Sequence, residues 1–387
     1  MTSTGFTISS LVFHSLSVRG KSEWVFVELS DANGNTGTSE LTGPGARKDV
    51  TNALAEMAGR LRGTPITDDT EIAKLLGISN ELFSSDYIQA TAISGIRTAV
   101  LDALAKKEGA TLTQHLGGQH ADIVPLYANI NRAMLPDNKG QADRSPDLFG
   151  KIAALAVNQG FTTIKCAPFD ECDPPYYGSG LPDQTKPGLE RVRAVREAIG
   201  ADITLLVDCH SRFNLDSSLA LESELDSLGV SWYEEPMNPF AKPEDLASLR
   251  EAARMPIAGG EMGYGIDVFR NLVENGSLDV VMPDVKYCGG VGEATSIGLE
   301  LETQNPGSVS LHSPSGPASL LASAHATSVF KGKWPLEHAI EEVPWRAEIL
   351  EPPELVENGC LVLPPDPGIG AALDKSFLTK YGRSWTP

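Results

Sequence analysis

The stretch LLVDCHSRF, Leu205 to Phe213, is an aliphatic run that stops abruptly at an acid, a thiol, an imidazole and a guanidinium. In a strand, alternation puts Asp208 and His210 on one face and Cys209 on the other. Similar endings recur at intervals along the chain. Apolar runs finish in Lys165, in Glu234 and Glu235, in Glu261, in Asp284 and Lys286, in His312 and in Glu337. A strand leaving a core meets water, so one such ending means little. The series carries more weight, because Asp208, Glu234 and Glu261 recur on successive runs. Three converging carboxylates repel unless they are protonated or neutralised by a cation. An all-oxygen site with room for water suits Mg²⁺. Of the Glu234–Glu235 pair, one side chain must point away. Asp284 and His312 end adjacent runs. A carboxylate beside an imidazole fixes its tautomer and raises its basicity, which suits a general base. Lys165 serves as a binder of a substrate carboxylate or as a base, and Lys286 is ambiguous in the same way. Arg212 shares the parity of His210 and reaches the mouth of the site or the surface.

The elements that must position these groups follow from the rhythm of the chain. From Ile123 onwards, eight short apolar runs alternate with amphipathic segments: IVPLYANI, FTTIKCAPF, ITLLVDCH, VSWYEEPM, PIAGGEM, LDVVMPDV, GSVSLHSP and WPLEHAI. Continuous apolar runs suit parallel strands buried on both faces. Eight βα units predict an α/β fold of the (β/α)7–8 TIM-barrel type, in which chemistry sits at the C-terminal strand ends. The Gly-rich turn CGGVG follows the sixth run, not the first, and does not signal an open dinucleotide-binding sheet. Residues 1–122 read differently. Two β-rich stretches, with a turn at Asn33-Gly34, precede helical patterns over Asp49–Arg62, Asp69–Leu76 and Tyr87–Glu108. This predicts an N-terminal α+β capping domain. The barrel spans 123–349. The Pro- and Gly-rich tail, 350–387, is expected to pack back on the capping domain, completing it, or to cross the barrel mouth.

The 387 residues are 41% hydrophobic, enough for a large core, and carry a net charge of -20. That balance excludes a nucleic-acid partner, whose phosphates need Lys and Arg, and an anionic membrane surface. No apolar run approaches the roughly 20 residues of a membrane helix. The start, MTSTGFTISSLVF, has no basic region before an apolar stretch, so no secretory signal is expected. Five cysteines, an odd count without a C-x-x-C, suit a reduced cytoplasmic protein.

The strand-end carboxylates, with WYEEP, AGGE, DVVMPDVKYCGGV, LHSPSGP and the returning LPPDPGIG, resemble the mandelate-racemase subgroup of the enolase superfamily over nearly the whole chain. The resemblance implies that Asp208, Glu234 and Glu261 hold Mg²⁺. It implies that His312, paired with Asp284, abstracts the proton α to a carboxylate, giving a Mg²⁺-stabilised enediolate. Glu337 matches the acid that hydrogen-bonds the enediolate, and Lys165 matches the strand-2 lysine. Racemases of the subgroup carry Lys-x-Lys there. This chain has Lys165-Cys166-Ala167, which weakens a racemase reading.

Asp-x-His followed two residues later by Arg212 resembles the sugar-acid dehydratases of the superfamily, the galactonate and mannonate types. There the strand-3 histidine, here His210, protonates the departing 3-hydroxyl. The expected substrate is therefore a small sugar acid and the product a 2-keto-3-deoxy acid. The resemblance also places a specificity loop at SVRGKSE, with Arg19 and Lys21 as substrate-binding candidates alongside Lys286 and Arg212. It further implies a homo-oligomer. Tyr176 and Tyr177 lie in a Pro- and Gly-rich segment that is either a surface loop or a lid. Three alternatives remain: a sugar-acid or lactone cycloisomerase or epimerase/racemase of the same superfamily, a non-catalytic sugar-acid-binding protein, and an unrelated metal-dependent barrel hydrolase, whose sites are richer in His ligands than this one.

Overall fold

The computed structural model describes residues 5–19, 22–119, 121–136, 142–174 and 178–387. Lys21, Tyr176 and Tyr177 lie outside the described residues. The chain opens with an antiparallel meander, Ser10–Ser17, Glu23–Ser30 and Thr36–Glu40. The second and third strands meet at the Asn33-Gly34 turn. Asp31 pins it by accepting from the backbone N–H groups of Asn33 and Asn35, and Gly34 takes φ 84°. Helices follow at Thr51–Leu61, Glu71–Leu76 and Asn80–Ser85. The long helix Tyr87–Glu108 is capped by the Asp86 side chain at one end and left-handed Gly109 at the other. It is buried nearly all round, because it lies between the meander and the barrel. Its Ser94 and Thr98 hydroxyls accept the backbone N–H groups of Gly289 and Val291. The CGGVG turn is therefore a docking surface for this helix: a Cβ on Gly290 would stand 3.0 Å from the Ser94 carbonyl oxygen.

The parallel barrel strands are Ile123–Asn129, Thr163–Cys166, Thr204–Asp208, Trp232–Glu234, Ile257–Gly259, Val280–Val281 and Leu336–Ala339. They pair in chain order, and the last returns to the first. The seventh expected strand is reduced to a single bridge, Val309 to Val281. The reason lies in its backbone groups. The N–H groups of Gly307 and Val309 go to the Glu302 carboxylate at 2.8 Å each, leaving fewer donors for a ladder. Alternation sorts the remaining side chains. Tyr127, Leu206, Trp232, Ala258, Val280 and Met282 form a separate core inside the barrel. Their neighbours Ala128, Ile164, Val207, Tyr233, Ile257 and Val281 pack outward with the helices.

The tail does not cross the barrel mouth. Cys360–Val362 pairs antiparallel with Ile123–Pro125 at the start of the first barrel strand, the end opposite the mouth. Arg383–Trp385 then pairs with Ser15–Phe13 and adds a fourth strand to the N-terminal meander. Among the described residues, no helix is long and apolar enough to cross a membrane.

Candidate active site

The floor of the site is the polar layer above the inner core. Register sets Asp208 opposite Glu234 on adjacent strands, and Lys165 one layer lower, opposite Leu206. From there the Lys165 ammonium reaches up to Glu234 Oε1 and Glu337 Oε1, both at 2.7 Å, and it is fully buried. Burial alone would lower its pKa; the two carboxylates reverse this and hold it well above the ordinary value. Lys165 thus sits as the counter-charge between two carboxylates. Glu337 also accepts from Asn129 Nδ2 at 2.7 Å and from the Ser313 backbone N–H at 3.0 Å.

His312 is held from two sides. Its Nδ1 lies 2.8 Å from Asp284 Oδ2, its Nε2 lies 2.8 Å from Glu261 Oε2, and Glu337 Oε2 is 3.9 Å from Nε2. Burial would depress the imidazole, but the Glu261 and Glu337 charges and the Asp284 bond outweigh it and raise its pKa. Asp284 in turn accepts from Lys286 Nζ at 2.5 Å. Lys286 is almost entirely buried, with its ammonium 4.6 Å above the Tyr287 ring. That position makes it a partner of the dyad, and it does not line the cavity described below.

His210 comes to the site by a different route from simple alternation. The strand ends at Asp208, and His210 and Ser211 adopt left-handed backbone, φ 46° and 57°. The turn is fixed by His210 N donating to Asp208 Oδ1 at 2.9 Å and Ser211 N donating to the Glu235 carbonyl at 2.7 Å. The ring then lies with Nε2 2.9 Å from Asp208 Oδ2 and Nδ1 2.6 Å from Asp170 Oδ1. The Asp208 charge, with Asp170, raises its pKa against partial desolvation. Cys209 is buried, as alternation requires.

Arg212 does not extend into the cavity. Its guanidinium donates to the Cys172 carbonyl and lies 3.7 Å from Asp170 Oδ1. Arg19 also turns to backbone, donating to the Ala133 carbonyl beyond the first barrel strand.

Glu235 resolves the ambiguity of the Glu-Glu pair. It accepts from Gly260 N at 2.9 Å and from the Ser211 hydroxyl at 3.0 Å, tying the loops that carry Glu261 and His210. Burial and the Glu261 charge push its pKa up to about 7. The AGGE motif is required here, since a Cβ at Gly259 would approach Glu235 Cγ to 2.7 Å, and Gly259 and Gly260 take φ 153° and 91°.

Asp208, His210, Glu261 and His312 line one cavity of about 420 Å³, together with Asn129, Asn131, Arg132, Arg144 and Asp170. These last five were not singled out from sequence. Asn131, Arg132, Arg144 and Asp170 sit on loops after the first two strands, where no local pattern marks them. Arg132 is paired with Glu342, and Arg144 with Asp170 and Glu171.

The carboxylates fit a divalent cation in type. Asp208 and Glu234 are oxygen donors on adjacent strands, Glu261 lies on the loop after the next strand, and Glu234 Oε2 is buried without a hydrogen-bond partner. Burial drives the Glu234 carboxyl upward, and Lys165 only partly offsets this. Among the described residues, no three donors are gathered into a ready-made cage. Asp208 and Glu261 are instead turned onto His210 and His312.

A closed α/β barrel with an α+β cap and acid–base groups at its strand ends defines a class of enzyme. Comparison with known families makes the assignment. Residues 7–117 match the mandelate racemase / muconate lactonizing enzyme N-terminal domain, and residues 149–377 match the enolase C-terminal domain-like family. The chain belongs to this family, the mandelate racemase / muconate lactonizing branch of the enolase superfamily.

It is 27% identical to the D-xylonate dehydratase of Haloferax volcanii, over 92% of this chain and 85% of that protein. It is 26% identical to the D-galactarolactone cycloisomerase of Agrobacterium fabrum, over 95% and 94%. A D-gluconate dehydratase of Thermoproteus tenax is 28% identical over 77% of this chain, which spans 57% of that protein's length. The solved structure of a mandelate racemase/muconate lactonizing enzyme-like protein from Rubrobacter xylanophilus superposes with a TM-score of 0.84 at 26% identity, covering 98% of both chains.

Proposed function

We propose that this protein is a Mg²⁺-dependent sugar-acid dehydratase, acting on an aldonate or aldarate. The protein is a lyase that removes water across C2 and C3. One observation carries the reading. Two imidazoles, each with a carboxylate on Nδ1, line one cavity from positions half a turn of the barrel apart. Dehydration needs a base at C2 and an acid at the 3-hydroxyl, because hydroxide is a poor leaving group.

With Glu261 drawn off it, His312 Nε2 would be free to take the C2 proton, and Asp284 holds Nδ1 as the ring becomes charged. His210 gives a proton to the 3-hydroxyl, which leaves as water. The electron pair of the C2–H bond becomes the C2–C3 double bond of an enol, which ketonises to the 2-keto-3-deoxy acid. Asp208, Glu234 and Glu261 would hold Mg²⁺, which when bound supplies positive charge to the substrate carboxylate as the C2–H bond breaks. Lys165 bridges Glu234 and Glu337 and fixes both at that edge of the site. The dehydratase names among the relatives support this reading. The cycloisomerase relative supports a second one, in which the same base acts on a lactone. All five cysteines are free thiols, which supports a cytoplasmic location, and a symmetric homo-oligomer is the expected assembly.

The test is a screen of stereochemically complete aldonates and aldarates with Mg²⁺, detecting 2-keto-3-deoxy product. Turnover of one or a few members is expected. Silence across the set, with turnover of a sugar-acid lactone, would move the assignment to cycloisomerisation.

A further inference from the structure

We infer that Asp170 is the positioning carboxylate of His210, so that the site contains a second histidine–aspartate dyad built entirely from loops. The inference rests on the dehydratase reading for what His210 does, and on geometry for how it is held.

The His210 ring is fixed at both nitrogens, by Asp208 at Nε2 and by Asp170 at Nδ1. The Asp170 carboxylate accepts, so Nδ1 presents its hydrogen to it. A ring with one anchor can swing about it; a ring with two cannot. Asp208 belongs to the carboxylates expected to face a cation and cannot be a dedicated support. Asp170 can. It lies just beyond the second barrel strand and lines the same cavity as the ring it holds.

Asp170 is itself held. Arg144 Nη1 stands 3.3 Å from Asp170 Oδ2, and Arg212 Nη2 stands 3.7 Å from Oδ1. The segment around it is fastened to three arginines. Arg144 donates to the Ala167 carbonyl at 2.7 Å and to Glu171 at 2.8 Å. Arg191 donates to the Pro168 carbonyl at 2.8 Å and to Glu171 at 2.5 Å, and Arg212 donates to the Cys172 carbonyl. This gives Arg212 a defined job: it steadies the carboxylate that steadies His210. A guanidinium with several fixed donors suits that task better than a lysine would.

The experiment compares the full-length wild type with Asp170→Asn, Asp170→Glu, His210→Asn and the Asp170→Asn/His210→Asn double variant. Three readouts are used: kcat and KM for dehydration, C2 proton exchange in D₂O, and the ¹⁵N-resolved imidazole signals of His210. Asp170→Asn is expected to lower kcat for dehydration by about 10- to 100-fold, by analogy with loss of other supporting residues. KM and C2 exchange should change little. Asp170→Glu should recover part of the loss, and the double variant should be no slower than His210→Asn alone. The Nδ1 signal of His210 should move in Asp170→Asn.

An unchanged kcat, a rise in KM alone, or fully additive losses in the double variant would overturn the dyad. The imidazole signal separates this inference from the reading it rests on. If the wild type dehydrates no sugar acid, yet the Nδ1 signal moves in Asp170→Asn, the pairing stands and the dehydratase assignment falls. If the wild type dehydrates and neither the signal nor kcat responds, the pairing falls and the assignment stands.

Discussion

The two histidines of the cavity are held in opposite ways. His312 stands at the seventh strand position, its side chain only 12% exposed, with Asp284 fully buried behind it. His210 stands on a left-handed turn, its side chain 42% exposed, with Asp170 on a neighbouring loop. The first pair is locked by the packing of the barrel. The second depends on hydrogen bonds between loops, which a few arginines make rigid. A base must take a proton from carbon, the harder task, and gains most from a dry, fixed environment. In the proposed reaction the acid, His210, must release a proton to a leaving hydroxyl, and it sits closer to water.

The largest effect should come from the buried pair. His312→Asn is expected to lower both dehydration and C2 proton exchange by about 10²–10⁴-fold, the usual worth of a general base. Proton exchange followed by NMR in D₂O, beside a product assay, measures both. Exchange that survives intact would show that another group takes the proton.

His210→Asn should lower dehydration by a similar factor, about 10²–10⁴, while C2 exchange continues. Loss of both in a folded variant would erase the division of labour between the two histidines.

Mg²⁺ offers a third test, because it would draw Asp208 away from one histidine and Glu261 from the other. A concentration 100 times its Kd should stabilise the protein by about 2.7 kcal/mol. A calorimetric melting series with and without Mg²⁺ reads this shift, and Glu234→Gln should shrink it. No shift at millimolar Mg²⁺ would count against these carboxylates as ligands.

The smallest effect concerns a histidine with no carboxylate beside it. His338 is on the outward face of the last barrel strand, stacked on Phe161 at 6.2 Å, with Nδ1 unpaired. Burial, and then the Arg346 charge, hold its pKa well below the ordinary value. The fold keeps it neutral, whereas the unfolded chain takes up a proton below about pH 6.5. Stability is therefore full above that pH and falls as the solution becomes more acidic, with a slope of at most about 1.4 kcal/mol per pH unit. His338→Asn should flatten this part of the stability–pH curve, measured by urea denaturation. An identical slope in the variant would assign the acid sensitivity elsewhere.

How much of this was legible in the sequence differs between the same two regions. Asp284 and His312 each end an apolar run, so spacing by βα units was enough to bring them together. The same logic placed Asp208, Glu234, Lys165 and Glu337 on the strands around the site, because side-chain alternation and barrel closure leave little choice there, whereas Glu261 is carried by the Gly259-Gly260 turn beyond its strand. His210 was found as well, but for an incomplete reason: the strand stops at Asp208, and a left-handed turn carries the ring onward. Asp170 and Arg144 gave no signal, since contacts between loops follow no period. Glu235 could be seen only as the odd member of a pair. Arg19 and Arg212 look like ligands for an anion in the sequence. In the fold, their donors turn to backbone carbonyls instead.

The sequence by itself determined the cap, the barrel rhythm and the identity of the strand-end groups, because periods of two and of one βα unit are local and repeat. Tertiary structure alone decided which partner each charged group meets. It turned Lys165 into a buried counter-ion, sent the tail to the end of the barrel opposite the mouth, and gave two N–H groups of the seventh strand to the Glu302 carboxylate. The physical reason is the same in each case. A strand's direction follows from neighbours in sequence, but a buried charge or an unpaired N–H must find a partner wherever the fold supplies one.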